Sequence, residues 1–347
     1  MASNKRINKA YVRYDGSGRV IPGSLILNRF KPKVGNWQET PAYLCCNPAS
    51  VSSFDITADW TKTIPAVVDE ATFIQFLETG EDGGGEINSF LNVSVTDFVF
   101  TDLGNGYQRV QCSLTADANP TNSYEVYFTY MDIIDIKGVG NIQNVEYLYL
   151  TDNLLTEFNP AYALPSSLIQ LYLNYNQLTT FAPTLPLPSS LSILEFTSNQ
   201  LSSLSMDALV ASLPNSLTRL DLAANPIITF NPNVALPSSL LELSLNVAQI
   251  VTFNPTIALP SSLQLLGLNL NSIVSFSPTV ALPTSINLLD LSYNQMTTAG
   301  YTASESWANS LTVVPGRGEF RVDNNINSIS GTTLETILIS KGWTVTA

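Results

Sequence analysis

No histidine occurs among the 347 residues of the chain. Its absence removes the commonest general base, the serine–histidine and cysteine–histidine nucleophile systems, and most zinc catalysis. Cysteine is nearly absent as well. Cys45, Cys46 and Cys112 cannot staple a fold of this size, and an adjacent pair could bridge only through a strained ring. All three read as small buried hydrophobes in a protein assembled in a reducing compartment. Charged residues make up only 12% of the chain, against 45% apolar. That balance excludes a disordered polymer and suits a large core under a neutral, Ser/Thr/Asn-covered surface. No run of roughly 18 apolar residues and no apolar core behind the N-terminal charges is present, so neither a membrane span nor a secretory signal is expected. A Gly-Lys phosphate loop is missing too. Gly16-Ser17-Gly18 lacks the strand–elbow–helix context of a nucleophile and reads as a hairpin turn.

The charge that is present is unevenly placed. The formal net charge is −13, yet residues 1–33 carry eight basic side chains (Lys5, Arg6, Lys9, Arg13, Arg19, Arg29, Lys31 and Lys33) against one acid, Asp15. Residues 138–347 carry four basic residues and twelve acids. A nucleic-acid binder needs basic charge on its main folded surface, and this body has the opposite sign.

From residue 145 onward one frame recurs: apolar-x-x-apolar-x-apolar-x-x-Asn. It starts at Val145, Leu168, Leu191, Leu217, Leu240, Leu263, Ile286 and, with arginine in the first apolar slot, Arg317. Start-to-start spacings are 23, 23, 26, 23, 23, 23 and 31 residues. The centre of the frame alternates with period two, which predicts a short strand with one buried face. A fixed period of this length predicts a solenoid whose strands stack in parallel over a continuous leucine core. The asparagine follows the strand, where its amide can satisfy backbone groups that a turn leaves buried. Position 248 is alanine instead, so one rung of that ladder is missing and a local weak point is expected there.

Outside the frame each coil repeats Thr-Phe-Asn/Ala-Pro and Leu-Pro-Ser-Ser. Phe158, Phe181, Phe230, Phe253 and Phe276 share one coil position and are expected to form an aromatic spine. Two proline columns, through Pro160 and through Pro165, predict extended, non-helical return paths. The two longer coils are expected to carry helical turns over 206–213 and 299–311. Residues 133–145 read as an irregular opening coil, 332–341 as a capping helix and 343–345 as a closing strand. The frame resembles the leucine-rich-repeat family, and its Leu-Pro-Ser-Ser-Leu junctions are similar to the short bacterial repeats of that family. The resemblance implies a scaffold that binds a protein or a glycan, usually on the concave face.

The expected architecture is therefore β-rich and multi-domain. It comprises a basic extended docking arm over 1–43, a small β or α+β domain over 44–130, and a leucine-rich-repeat solenoid of about eight coils plus caps over 131–347. In the first part, 67–77 reads as a helix, and 89–100, 108–115 and 124–130 as strands. Residues 8–27, 31–37 and 102–117 resemble virion structural proteins of tailed bacteriophages of Bacteroidetes-type hosts. That resemblance implies a particle-docking module and a virion protein assembled in the bacterial cytoplasm. Its partners would be other virion proteins through 1–130 and a host-surface protein or glycan through the solenoid. A secreted or surface-exposed bacterial effector or adhesin is the alternative. A homo-oligomer is compatible with either.

Candidate site residues follow from the outward strand positions. Tyr147, Tyr149 and Tyr172 gather near Glu195, Arg219 and Asp221 at the N-terminal end of the solenoid, a grouping usable for sugar or peptide. Glu195 and Asp221 occupy the same position on neighbouring coils, about 5 Å apart across a sheet. That spacing would suit a retaining glycosidase, but an open concave face offers nothing to raise a carboxyl pKa, so they read as a solvated acidic stripe. The chain reads as non-enzymatic. No metal cluster, cofactor, nucleic acid or membrane insertion is expected.

Overall fold

The structure is a computed structural model. It describes the backbone of strands between residues 11 and 137, and residues 145–159 and 163–347 in full. The chain divides into two compact units, Met1–Leu155 with Pro160–Pro165, and Thr156–Asn159 with Ser166–Ala347.

In the first unit β1 (Tyr11–Tyr14) and β2 (Val20–Ile26) pair antiparallel as a hairpin. Of the basic arm residues, Arg13 lies on β1; Lys5, Arg6, Lys9, Arg19, Arg29, Lys31 and Lys33 lie outside the described residues, as does the helix expected over 67–77. A further strand, β3 (Ala42–Leu44), pairs antiparallel with β7 (Tyr124–Phe128), which runs parallel to β9 (Val145–Tyr149). A four-stranded antiparallel sheet has the order β5 (Val93–Gly104), β6 (Tyr107–Ala116), β4 (Phe54–Thr61), β8 (Ile133–Lys137). The strand β8 was expected in an opening coil of the solenoid; it pairs instead with β4, antiparallel, Ala58 opposite Ile136. Its apolar alternation suits either position, and only a partner in space distinguishes them.

The second unit is the solenoid. Eight strands pair parallel in chain order: β10 (Gln170–Tyr172), β11 (Ile193–Glu195), β12 (Arg219–Asp221), β13 (Glu242–Ser244), β14 (Leu265–Gly267), β15 (Leu288–Asp290), β16 (Gly318–Arg321) and β17 (Trp343–Thr346). The register follows the repeat residue for residue, so Leu171, Leu194, Leu220, Leu243, Leu266 and Leu289 form one inward column. This is the coil of a leucine-rich-repeat-type solenoid.

The asparagine ladder is what locks each turn to the next. Nδ2 of Asn199 donates to the Phe196 carbonyl of its own coil at 3.0 Å and to the Leu173 carbonyl of the preceding coil at 2.9 Å. Its Oδ1 accepts the Leu178 N–H, also from the preceding coil, at 2.9 Å. Asn225, Asn294 and Asn325 repeat this pattern. The residue before each rung sits in the left-handed region, among them Ser198, Ala224, Val247, Leu270, Tyr293 and Asn324. That sharp reversal is what aims the asparagine inward.

Two further ladders were not foreseen. On the return path, Oδ1 of Asn159, Asn231 and Asn254 accepts both the N–H and the hydroxyl of Thr184, Thr256 and Thr279 in the following coil. The second serine of Leu-Pro-Ser-Ser joins coils as well. Ser190 and Ser262 donate to the Leu168 and Leu240 carbonyls at 2.7 Å, which accounts for the conspicuous repetition of that tetrapeptide.

The aromatic spine exists but is broken. Phe158 stacks on Phe181 at 6.3 Å, and Phe230, Phe253 and Phe276 stack in a second run at 6.4 and 6.0 Å. Between the runs the spine position belongs to Leu204, which is 97% exposed. The 26-residue coil winds here into a 3-10 turn (Ser203–Ser205) and α1 (Met206–Ser212), and Met206, Leu209 and Val210 fill the interior instead. The 31-residue coil forms α2 (Thr298–Ser310), whose Trp307 meets Phe276 edge-on at 4.7 Å. At the far end Thr332 caps α3 (Thr333–Ser340), and β17 closes the sheet. Arg317, in a slot elsewhere filled by valine, leucine or isoleucine, is 4% exposed. Its guanidinium donates to the Pro283 and Thr312 carbonyls and lies 4.8 Å over the Trp343 ring. Burial pulls its pKa down, since the charged form is the one that loses water.

Candidate functional site

The outward face of β11, β12 and β13 holds a compact ionic group around one cation. Strand pleating turns Leu194, Leu220 and Leu243 inward and therefore turns their neighbours out. Parallel register then sets Glu195 beside Asp221, and Arg219 beside Glu242. The Arg219 guanidinium reaches Glu195 at 3.3 Å, Glu242 at 3.7 Å and Asp221 at 3.8 Å. One arginine thus bridges three carboxylates on three coils, and the group keeps a net negative charge.

The remaining oxygens of Glu195 and Asp221 are also engaged. Asn174 on the preceding coil donates its Nδ2 to Glu195 Oε2 at 2.9 Å and accepts the Thr197 N–H on Oδ1 at 2.8 Å. Asp221 Oδ1 accepts the Ala223 N–H at 2.9 Å, fixing the end of its strand. A retaining glycosidase needs one carboxyl held protonated by an apolar pocket and a second free to attack. Glu195 and Asp221 instead share one cation and each accepts an amide N–H, so neither sits in an apolar pocket and neither is free to attack.

The structure places the three tyrosines on different units. Tyr147 and Tyr149 stand half-buried on β9 in the first unit, opposite Glu125 and Tyr127 of β7. Tyr172 stands half-buried on β10 in the second unit, and its hydroxyl donates to the Gln170 carboxamide oxygen. A second ionic group closes the C-terminal end of the face. Arg321 donates to Glu319 at 2.8 Å, and the Thr346 hydroxyl donates to the same carboxylate. The arginine's hydrogen bond and then the threonine's hold the Glu319 carboxyl below its ordinary pKa. Glu319 and Arg321 stand i, i+2 on one strand, a spacing that puts both side chains on the same face and is a usable sequence signal for the pair.

Among the described residues no group of three or more histidine, cysteine or acidic side chains could hold a metal ion, and no helix is long and apolar enough to cross a membrane. Between the two ionic groups β14 is uncharged on this face, with Leu265 and Gly267 outward, and β15 turns out Leu288 and Asp290.

No protein-family model matches the chain, and no curated protein matches it. Among solved structures it is similar to YopM from Yersinia enterocolitica WA-314, at 24% identity over 52% of this chain, with a TM-score of 0.29. The matched region spans 42% of that chain, less than half its length.

Proposed function

We propose that the chain is a non-enzymatic binding scaffold and, more specifically, a structural protein of a tailed-phage virion. In this reading residues 1–130 dock it to the particle, and the solenoid projects as a fibre, decoration or receptor-facing module. The scaffold part is supported by the arrangement at Arg219. The best-placed carboxylates on the open face are held in ion pairs and amide contacts, which suits a rigid recognition surface and not acid–base chemistry. The virion part is supported by the phage-like segments 8–27 and 102–117, and by the opposition of eight basic side chains in 1–33 to an acidic solenoid. Opposite charges of that kind steer assembly between neighbouring subunits.

Mass spectrometry of purified particles tests it: peptides of this chain should co-purify with capsid and tail proteins at stoichiometric yield. A chain absent from particles but present in the medium or on the cell surface would leave the second reading, a bacterial leucine-rich-repeat effector or adhesin. The Leu-Pro-Ser-Ser junctions favour that alternative.

A further inference from the structure

The turn that follows each strand exposes two positions, the left-handed residue just before the asparagine rung and the residue three beyond it. In three consecutive coils the first position is Val247, Leu270 and Tyr293, respectively 47%, 48% and 51% exposed. The second, in a run that starts one coil earlier, is Ile228, Val251 and Val274, respectively 56%, 45% and 50% exposed. Backbone bonds join the coils here, Leu270 N–H to the Ser292 carbonyl and Val251 N–H to the Ile228 carbonyl, so each row advances one coil spacing, about 4.8 Å, at a time.

In the adjoining coils these two positions carry small or polar residues. The first row reads Ser198 and Ala224 before the patch and Asn324 after it; the second reads Thr179 and Ser202 before and Thr297 and Ser328 after. The same backbone therefore accepts polar residues at both positions. The left-handed region favours asparagine or glycine, and a β-branched valine there is an outlier. Local conformation does not favour the three first-row side chains, and solubility favours none of the six. A bounded, exposed apolar patch with a polar rim is the mark of an interface.

We infer that this edge is a self-association surface, occupied by the same edge of a second copy of the chain. Turns 223–230, 246–253, 269–276 and 292–299 contain no charged residue. In a chain of net charge −13 this is where two copies can meet without repulsion. The six side chains expose roughly 600 Å², so two such edges bury roughly 1,200 Å² in all, above the ~1,000 Å² that a specific interface needs. Two rows of constant period are also self-complementary about a two-fold axis. Set antiparallel with the axis between the Leu245 and Leu268 turns, Val247 meets the partner's Leu270 and Val251 meets the partner's Val274.

Sedimentation of the full chain tests this. The wild type should sediment at twice the monomer mass at tens of micromolar and dissociate on dilution. Val247→Asn with Leu270→Asn and Tyr293→Asn places in the first row a residue the chain already uses at Asn324; it should weaken the dimer at least a hundredfold without lowering Tm. Ile228→Thr with Val251→Thr and Val274→Thr, borrowing from Thr179 and Thr297, should do the same in the second row. A wild type monomeric throughout, whether or not another protein binds the edge, overturns the proposal. So does a dimer that survives both triple substitutions. Sedimentation reads the free protein, so failure here is distinct from absence of the chain from virions.

Discussion

The backbone N–H of Ala248 donates to Oδ1 of Asn271 at 3.0 Å, and the same oxygen accepts the Ile250 N–H at 2.8 Å. One asparagine thus carries two amides of a coil that lacks its own rung. The preceding coil loses its acceptor, and the Ile227 N–H closes a three-residue turn onto the Asn225 carbonyl at 2.8 Å. The repair has a conformational cost: Gln249 joins Val247 in the left-handed region, a doubling no other described turn shows.

The weak point expected at Ala248 is therefore located at the amide of Ile227. Its hydrogen exchange should be faster than that of Ile250 and Ile273, which donate to asparagine side chains. Ala248→Asn should slow Ile227 to their level and raise stability by about 1 kcal/mol in urea unfolding. Equal exchange rates in the wild type would contradict this assignment.

Leu204 and Phe253 hold equivalent coil positions with opposite fates. Phe253→Ala should cost about 3–5 kcal/mol, because it opens a cavity between two stacked rings. Leu204→Ser should change stability by less than ~0.5 kcal/mol, since the side chain contributes nothing to the core. Thermal or urea denaturation of the two variants checks both values.

At Arg219 the arginine shields three carboxylates from one another. Arg219→Met should destabilise the fold by about 1 kcal/mol at low ionic strength, and the deficit should shrink as salt is added. A deficit independent of salt would mean that packing of the arginine stem, not its charge, matters.

Burial pushes the Tyr301 phenol up to about 12. Its hydroxyl donates to the Asn327 carbonyl at 2.7 Å, a bond available only to the protonated form. The unfolded chain ionises near the ordinary value of about 10, so it releases protons before the native state does. Stability from this group is complete below pH ~10 and falls as pH rises through ~12. Tyr301→Phe should flatten that part of the stability–pH curve, at the expense of the hydrogen bond at neutral pH.

Some features were legible because they are local and periodic. The helices of the two long coils follow from extra residues that an extended return cannot accommodate. The cap at Thr332 follows from a threonine three residues before Glu335, and its side chain accepts the Glu335 N–H at 3.2 Å. The ladders of Asn159, Asn231 and Asn254 were harder to see, because nothing in the tetrapeptide says that the following coil supplies the donors. The apolar edge was missed for a related reason. The frame records which residues point inward, whereas Val247, Leu270 and Tyr293 occupy a position defined by a positive φ.

By itself the sequence determined the period, the strand positions and the inward column. Every coil must bury the same atoms against its neighbours, and a one-residue slip would turn each leucine to solvent. Only the tertiary structure decided where groups distant in the chain share a partner. It put β8 on an antiparallel edge, turned Leu204 out because Met206 had taken its interior volume, and gave Asn271 two amides to hold. Those outcomes depend on which space and which acceptors remain once neighbouring coils have closed, a competition that no single repeat encodes.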